Sequence, residues 1–204
     1  MRRISIGVAT AFFLLLVGCG EDPKPVKKVE KPPEPVTALK AFYAIFGNAR
    51  SWAADIQVLE IKSIDLDAKH MCKEGKCWAW SVNLVSPSKG KLKNFTYSVI
   101  EAEGNLHQGV FSSLEESWRG PSGPDKPFLM QALKKDSTDA YKAAAAKSVE
   151  YMKKHPDMPV VYEISLTSKY GLPAYRVIWG ESVSSSAYSI LVDASTGEYV
   201  ETLR

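Results

Sequence analysis

Few residues in this chain have side chains suited to chemistry: three cysteines and three histidines among 204 residues. Cys72 and Cys77 flank Lys73-Glu74-Gly75-Lys76, whose glycine suits a hairpin end. In an oxidising compartment such a pair argues for a disulfide closing a small loop. So short a loop constrains little chain, which puts its stabilising effect at the low end of the usual range. Two free thiols are one alternative. A metal centre on His70, Cys72 and Cys77 is another, but it needs a fourth ligand, and His107 and His155 stand at no ligand spacing. The disulfide is the expectation. No Gly-x-Ser-x-Gly elbow and no phosphate-cradling glycine loop occurs. The paired acids of Ser113-Leu114-Glu115-Glu116-Ser117 read as solvated, and the serines at 182, 184, 185 and 186 read as a polar turn without a His or Lys partner nearby. No catalytic residue, metal or cofactor is expected.

The third cysteine is different. Arg2 and Arg3 precede an apolar run from Ile4 to Val17, which ends in Leu16-Val17-Gly18-Cys19. A basic start, an apolar middle and small residues before a cut make a signal peptide. The run is short for a bilayer-crossing helix, which needs about 20 residues. Leu-Val-Gly-Cys resembles the bacterial lipobox. That resemblance implies lipidation of the Cys19 thiol, cleavage before Cys19 and acylation of the new amine. Stable anchoring takes more than one acyl chain, which this processing provides. Gly20 in place of Asp implies, by the enterobacterial sorting rule, an outer-membrane lipoprotein facing the periplasm.

Removing residues 1–18 leaves 186 and takes away Arg2 and Arg3, so the formal charge falls from +3 to +1. A near-neutral chain offers no basic face for nucleic acid. Hydrophobic content of 45% and charged content of 24% fit a globular body. Residues 19–36 read as a tether behind the lipidated cysteine. Pro23, Pro25, Pro32, Pro33 and Pro35 alternate with Lys and Glu, and aromatics are absent. A proline-biased spacer of about 3.1 Å per residue holds the body some 50 Å from the bilayer.

The body reads as one α+β unit written twice, at 37–111 and 137–204, joined by a segment over 112–136. In the first copy Leu39, Phe42, Tyr43, Phe46, Ala49 and Ala53 follow helical spacing, with Thr37 as N-cap and a weak point at Gly47. Strands follow over 58–64, 78–84, 94–100 and 106–111, the second alternating at period two. In the second copy Tyr141, Ala145, Val149 and Met152 form one helical face, entered from Asp136 or Ser137 and stopped by Pro156 and Pro159. Strands follow over 160–166, 174–179, 188–192 and 198–202. Trp80-Ser81-Val82 lies over Tyr175-Arg176-Val177, and Tyr97-Ser98-Val99-Ile100 over Tyr188-Ser189-Ile190-Leu191. The fold expected is therefore two tandem units, each a helix packed on a four-stranded antiparallel sheet. A short helix is expected over 128–134.

The second copy resembles the PepSY domain and its cystatin-like relatives. The resemblance rests on Tyr175-Arg176-Val177 and on Tyr188-Ser189-Ile190-Leu191-Val192-Asp193-Ala194-Ser195-Thr196-Gly197-Glu198-Tyr199-Val200, where an Asp-Ala-x-Thr-Gly hairpin joins two strands. Asp193 suits an Asx-turn and Gly197 a positive φ. The first copy has Glu101-Ala102-Glu103-Gly104-Asn105 in place of that motif. The resemblance implies an exported, non-catalytic domain that inhibits or regulates a partner.

Aromatic residues supply the binding expectation. Most of those on strands are expected to pack between helix and sheet. Trp78 and Trp80, pointing together beside the cysteine loop, and Trp118 before Gly120-Pro121 are the candidates for contact with a partner. The function expected is an envelope-bound module that binds or inhibits an envelope protein or peptide, with contact to the membrane only through its lipid. The alternative is a structural accessory subunit of an outer-membrane or secretion assembly. An open aromatic groove favours the first and a large flat apolar patch the second. A deep pocket with perturbed carboxylates or histidine instead favours a hydrolase.

Overall fold

The computed structural model describes residues 32–122, 126–182, 184–186 and 188–203. The leader, Cys19 and most of the tether lie outside the described residues. In chain order the first elements are β1 (Val36–Thr37), α1 (Ala38–Trp52), β2 (Gln57–Ser63), β3 (Lys76–Cys77), β4 (Ala79–Ser86), β5 (Lys91–Ser98), β6 (Gly109–Ser112) and β7 (Glu116–Ser117). A 3₁₀ turn (Met130–Ala132) leads to α2 (Ser137–Lys147), α3 (Val149–Lys154), β8 (Val160–Leu166), β9 (Pro173–Trp179), β10 (Tyr188–Asp193) and β11 (Tyr199–Leu203). The chain is α+β, and its strand pairings are antiparallel.

Nine strands share one sheet in the order β6-β5-β4-β2-β8-β9-β10-β11, with β7 also on the β5 edge. Its middle is the β2–β8 seam, where Ile61 faces Ile164 and Lys62 faces Glu163. Outward from that seam the order is β2-β4-β5-β6 on one side and β8-β9-β10-β11 on the other. Period-two alternation turns Ile61, Trp80, Val82, Ile164, Tyr175 and Ile190, all fully buried, toward the helices. Lys62, Ser81, Asn83, Glu163 and Arg176 alternate with them and lie on the helix-free face. There Asn94 donates to Ser81 and Asn83, Asn83 to Glu60, and Lys62 reaches Glu60 at 2.7 Å and Glu163 at 4.0 Å across the seam. Burial, opposed by Lys62, pushes the Glu163 carboxyl up.

α1 lies over β4 and β5, and α2 over β9 and β10. α1 runs unbroken through Gly47, against the expected weak point. It buries Ala38, Ala41, Phe42, Ile45 and Ala49. Three alanines let the helix approach the sheet closely. Tyr43, expected in the buried stripe, stands outside at 56% exposure. The second helix is the one that breaks. Ser148 leaves helical geometry at φ −112, ψ 11, and its hydroxyl donates back to the Ala144 carbonyl at 2.8 Å, so α2 and α3 are separate. The side of α2 that faces the sheet is made of small residues, Ser137, Ala140 and Ala144, with Ser148 following.

The N-termini of α1 and α2 meet at one polar joint. Asp136 caps α2 in a capping box and also accepts from the Leu39 N–H of α1 at 3.1 Å. Ser137 Oγ accepts from the Ala38 N–H and donates to the Gly75 carbonyl. The Gly75 N–H donates to the Tyr162 hydroxyl at 2.9 Å. Burial pushes that phenol well above its usual value. Gly75 has φ +86, and a Cβ there would stand 2.5 Å from the Ser137 carbonyl oxygen, so only glycine fits. Cys72 and Cys77 stand at disulfide distance, Cα to Cα 4.2 Å, and close this hairpin.

Other expectations are corrected here. Val36, assigned to the tether, is a strand residue 4% exposed, and its carbonyl accepts from Trp80 Nε1 at 3.0 Å. The expected helix over 128–134 shrinks to the 3₁₀ turn, because Phe128 pairs with Val58 through two backbone hydrogen bonds of 2.9 and 2.8 Å. The matched hairpins are also out of register. Trp80 pairs with Tyr97, whereas Tyr175 pairs with Val192 and Tyr188 with Trp179. A longer β9–β10 connection shifts the cross-strand partners. The Asp193 turn forms as expected: Oδ1 accepts from Ser195 N at 2.6 Å and Thr196 N at 3.2 Å, and Gly197 has φ +78.

Candidate functional site

The apolar stripe Tyr141, Ala145, Val149 and Met152 is not fully buried: Val149 is exposed, while Tyr141 and Met152 are partly buried and pack at the margin of the core. The close approach of Ala140 and Ala144 to the sheet leaves it facing sideways. With Met158, Val160 and Trp179 it lines an open cleft of about 450 Å³. Val149 is 48% exposed. It also lines a second cleft of about 450 Å³, with Ala146, Tyr151 and Tyr188. The break at Ser148 puts Val149 at the point where the two clefts meet. Together they form a groove along both sides of α3.

The floor of this groove is built of packed aromatic rings. Tyr151 stacks on Tyr188 with ring centroids 4.1 Å apart and planes 11° apart, and His155 covers its other side at 4.5 Å. Trp179 meets both tyrosines edge-on. Trp179 and Tyr188 are themselves buried, at 2% and 7% exposure, so the aromatic surface is recessed. Met152 and Met158 add side chains able to conform to varied ligands. Four basic residues line the clefts: Lys147 and Lys154 in one, Lys153 and His155 in the other. Glu150 pairs with Lys153 at 3.2 Å, and Lys147 Nζ lies 5.3 Å from the Tyr199 ring centroid.

The tryptophans singled out from the sequence are not gathered into one site. Trp80 is fully buried and spends its indole N–H on Val36, so it is a core residue closed to partners. Trp78 is half-buried in a bend between β3 and β4, not on the strand with Trp80, and its ring meets His70 edge-on at 4.8 Å. Trp118 is half-buried beside the β4–β5 turn, where its backbone N–H donates to the Gly90 carbonyl. Its indole nitrogen is shielded and has no hydrogen-bond partner among the described residues.

On the helix-free side a larger cleft of about 770 Å³ lies between 64–70 and 100–106. Of its four acids, Asp65, Asp67, Glu101 and Glu103, two are engaged. Asp67 accepts from His70 at 2.9 Å, and Glu101 from Gln108 N and His107 at 2.8 and 2.6 Å. Those bonds hold both carboxyls below their usual range, opposite to the direction a general acid requires. Among the described residues no three His, Cys, Asp or Glu side chains converge as metal ligands. Set against known proteins, the chain matches no family model, no curated protein and no solved structure.

Proposed function

We propose that this chain is a non-catalytic lipoprotein of the bacterial envelope that holds or inhibits an envelope protein or peptide through the groove along α3. One observation carries this reading: an apolar stripe at helical spacing, only partly buried at the margin of the core, lines an open, aromatic-floored groove. Aromatic and methionine side chains in such a groove are typical of interface centres. The anchor rests on Leu16-Val17-Gly18-Cys19 behind its basic, apolar leader, with outer-membrane sorting following from Gly20. A PepSY-like regulatory role is supported by the Asp193–Gly197 turn geometry.

The two halves are proposed to be copies of one unit. The shared sequence of helix and strands outward from the β2–β8 seam supports this, and the hairpin mismatch implies a loop change after duplication. The alternative, an accessory subunit of an outer-membrane or secretion assembly, draws its support from Phe111 and Leu114 near the sheet edge, 46% and 89% exposed. Pull-down of the native protein after crosslinking in its own envelope tests the reading, with Val149→Asp and Leu114→Asp as comparators. Loss of the adduct in Val149→Asp alone supports the groove. Loss in Leu114→Asp alone favours the accessory subunit, and an unmodified Cys19 in the mature protein's mass spectrum removes the anchor.

A further inference from the structure

We infer that the α3 groove takes an acidic peptide segment carrying bulky apolar side chains, which enter the two clefts while its carboxylates meet the surrounding lysines. The inference rests on the proposed binding function and names the chemistry of the partner. Three lysines line the clefts against a single carboxylate, Glu150. Glu150 is already bound to Lys153. Lys147 and Lys154 are left without a carboxylate among the described residues. A groove with an apolar floor and a positive rim is complementary to apolar residues flanked by Asp or Glu. An anionic bilayer shares that charge preference but not the shape. Membrane surfaces receive protruding apolar side chains, whereas Trp179 and Tyr188 lie recessed at the bottom of the clefts. The two clefts, meeting at Val149, accommodate two side chains on one segment.

The test uses the full-length chain and three fluorescent peptides of about twelve residues. One carries Trp and Leu among aspartates, one carries the same apolar residues among lysines, and one carries aspartates without apolar residues. The expected result is binding of the first at least about tenfold tighter than either other peptide, weakening as salt rises. Lys147→Glu with Lys154→Glu should cost about tenfold or more, and Val149→Asp should do the same. Unchanged circular dichroism would establish that both variants are folded. Equal or tighter binding of the lysine peptide, no binding of the acidic apolar one, or no effect of charge reversal overturns the proposal. So does binding to phosphatidylglycerol vesicles that the acidic apolar peptide does not displace. If the peptides fail while crosslinking in the native envelope still succeeds at another surface, only this inference falls. If the peptide binds and no envelope partner is found, the proposed function falls and the inference stands.

Discussion

The two helical regions on the sheet use opposite solutions to one packing problem. α1 is continuous and drives Phe42 and Ile45 into the sheet, leaving Tyr43 outside. α2 presses small residues against the sheet, breaks at Ser148, and leaves Tyr141, Val149 and Met152 along an open groove. The contrast separates stability from recognition. The large apolar side chains Phe42 and Ile45 of α1 are fully in the core, while Tyr141 and Met152 are only partly buried at its margin and Val149 is exposed, leaving them a surface for recognition. The polar joint of Asp136, Ser137 and Gly75 ties the N-termini of α1 and α2 together.

The contrast is most severely tested by truncation on each side. Phe42→Ala should destabilise by about 3–5 kcal/mol, as expected for a fully buried phenylalanine. Met152→Ala, at the groove, should cost less, about 1–2 kcal/mol, because Met152 is only partly buried and packs at the margin of the core. Urea unfolding of the two variants measures both. Equal losses would mean that the groove is part of the core. Gly75→Ala strikes the joint, adding a backbone clash to a left-handed φ, and about 3 kcal/mol is expected from strain and overpacking together. Native-state hydrogen exchange should then rise at the starts of both α1 and α2. A rise at one helix only would show that the joint does not couple them.

The smallest effect concerns the seam. Burial, opposed by Lys62, holds the Glu163 carboxyl above its ordinary value of 4.5. The folded state therefore binds this proton more tightly than the unfolded chain. Its favourable contribution is full below the ordinary value and is lost as pH rises through the folded one. The stability of the native chain relative to Glu163→Gln should accordingly fall as pH rises from the ordinary value of 4.5 through the raised folded-state value. A relative stability that rises over that range would reverse the sign of the shift.

Much of the fold was legible because its signals are local. Alternation from Trp80 to Leu84, the Asp193 turn and the short cysteine loop each follow from a few adjacent residues. The groove was half legible. Periodicity picked out Tyr141, Ala145, Val149 and Met152, but it cannot say where an apolar stripe is buried. Ser137, Ala140, Ala144 and Ser148 repeat at the same spacing, and being small they allow the closer approach to the sheet. Trp78 was misplaced because alternation continues through a bend that ends the pairing of β3. The joint lay beyond reach, since Ala38 and Ser137 are 99 residues apart and a polar pair carries no periodic signal.

The most direct measurement of the groove's role is site-specific photocrosslinking in the native envelope, with benzoylphenylalanine placed at Val149 or at Tyr43. Both positions are about half exposed and lie on helices of the same layer, so they differ chiefly in the surface they sample. A discrete protein adduct from position 149 and none from position 43 is the expected result. Adducts from position 43 alone, or from neither position, would contradict recognition through the α3 groove.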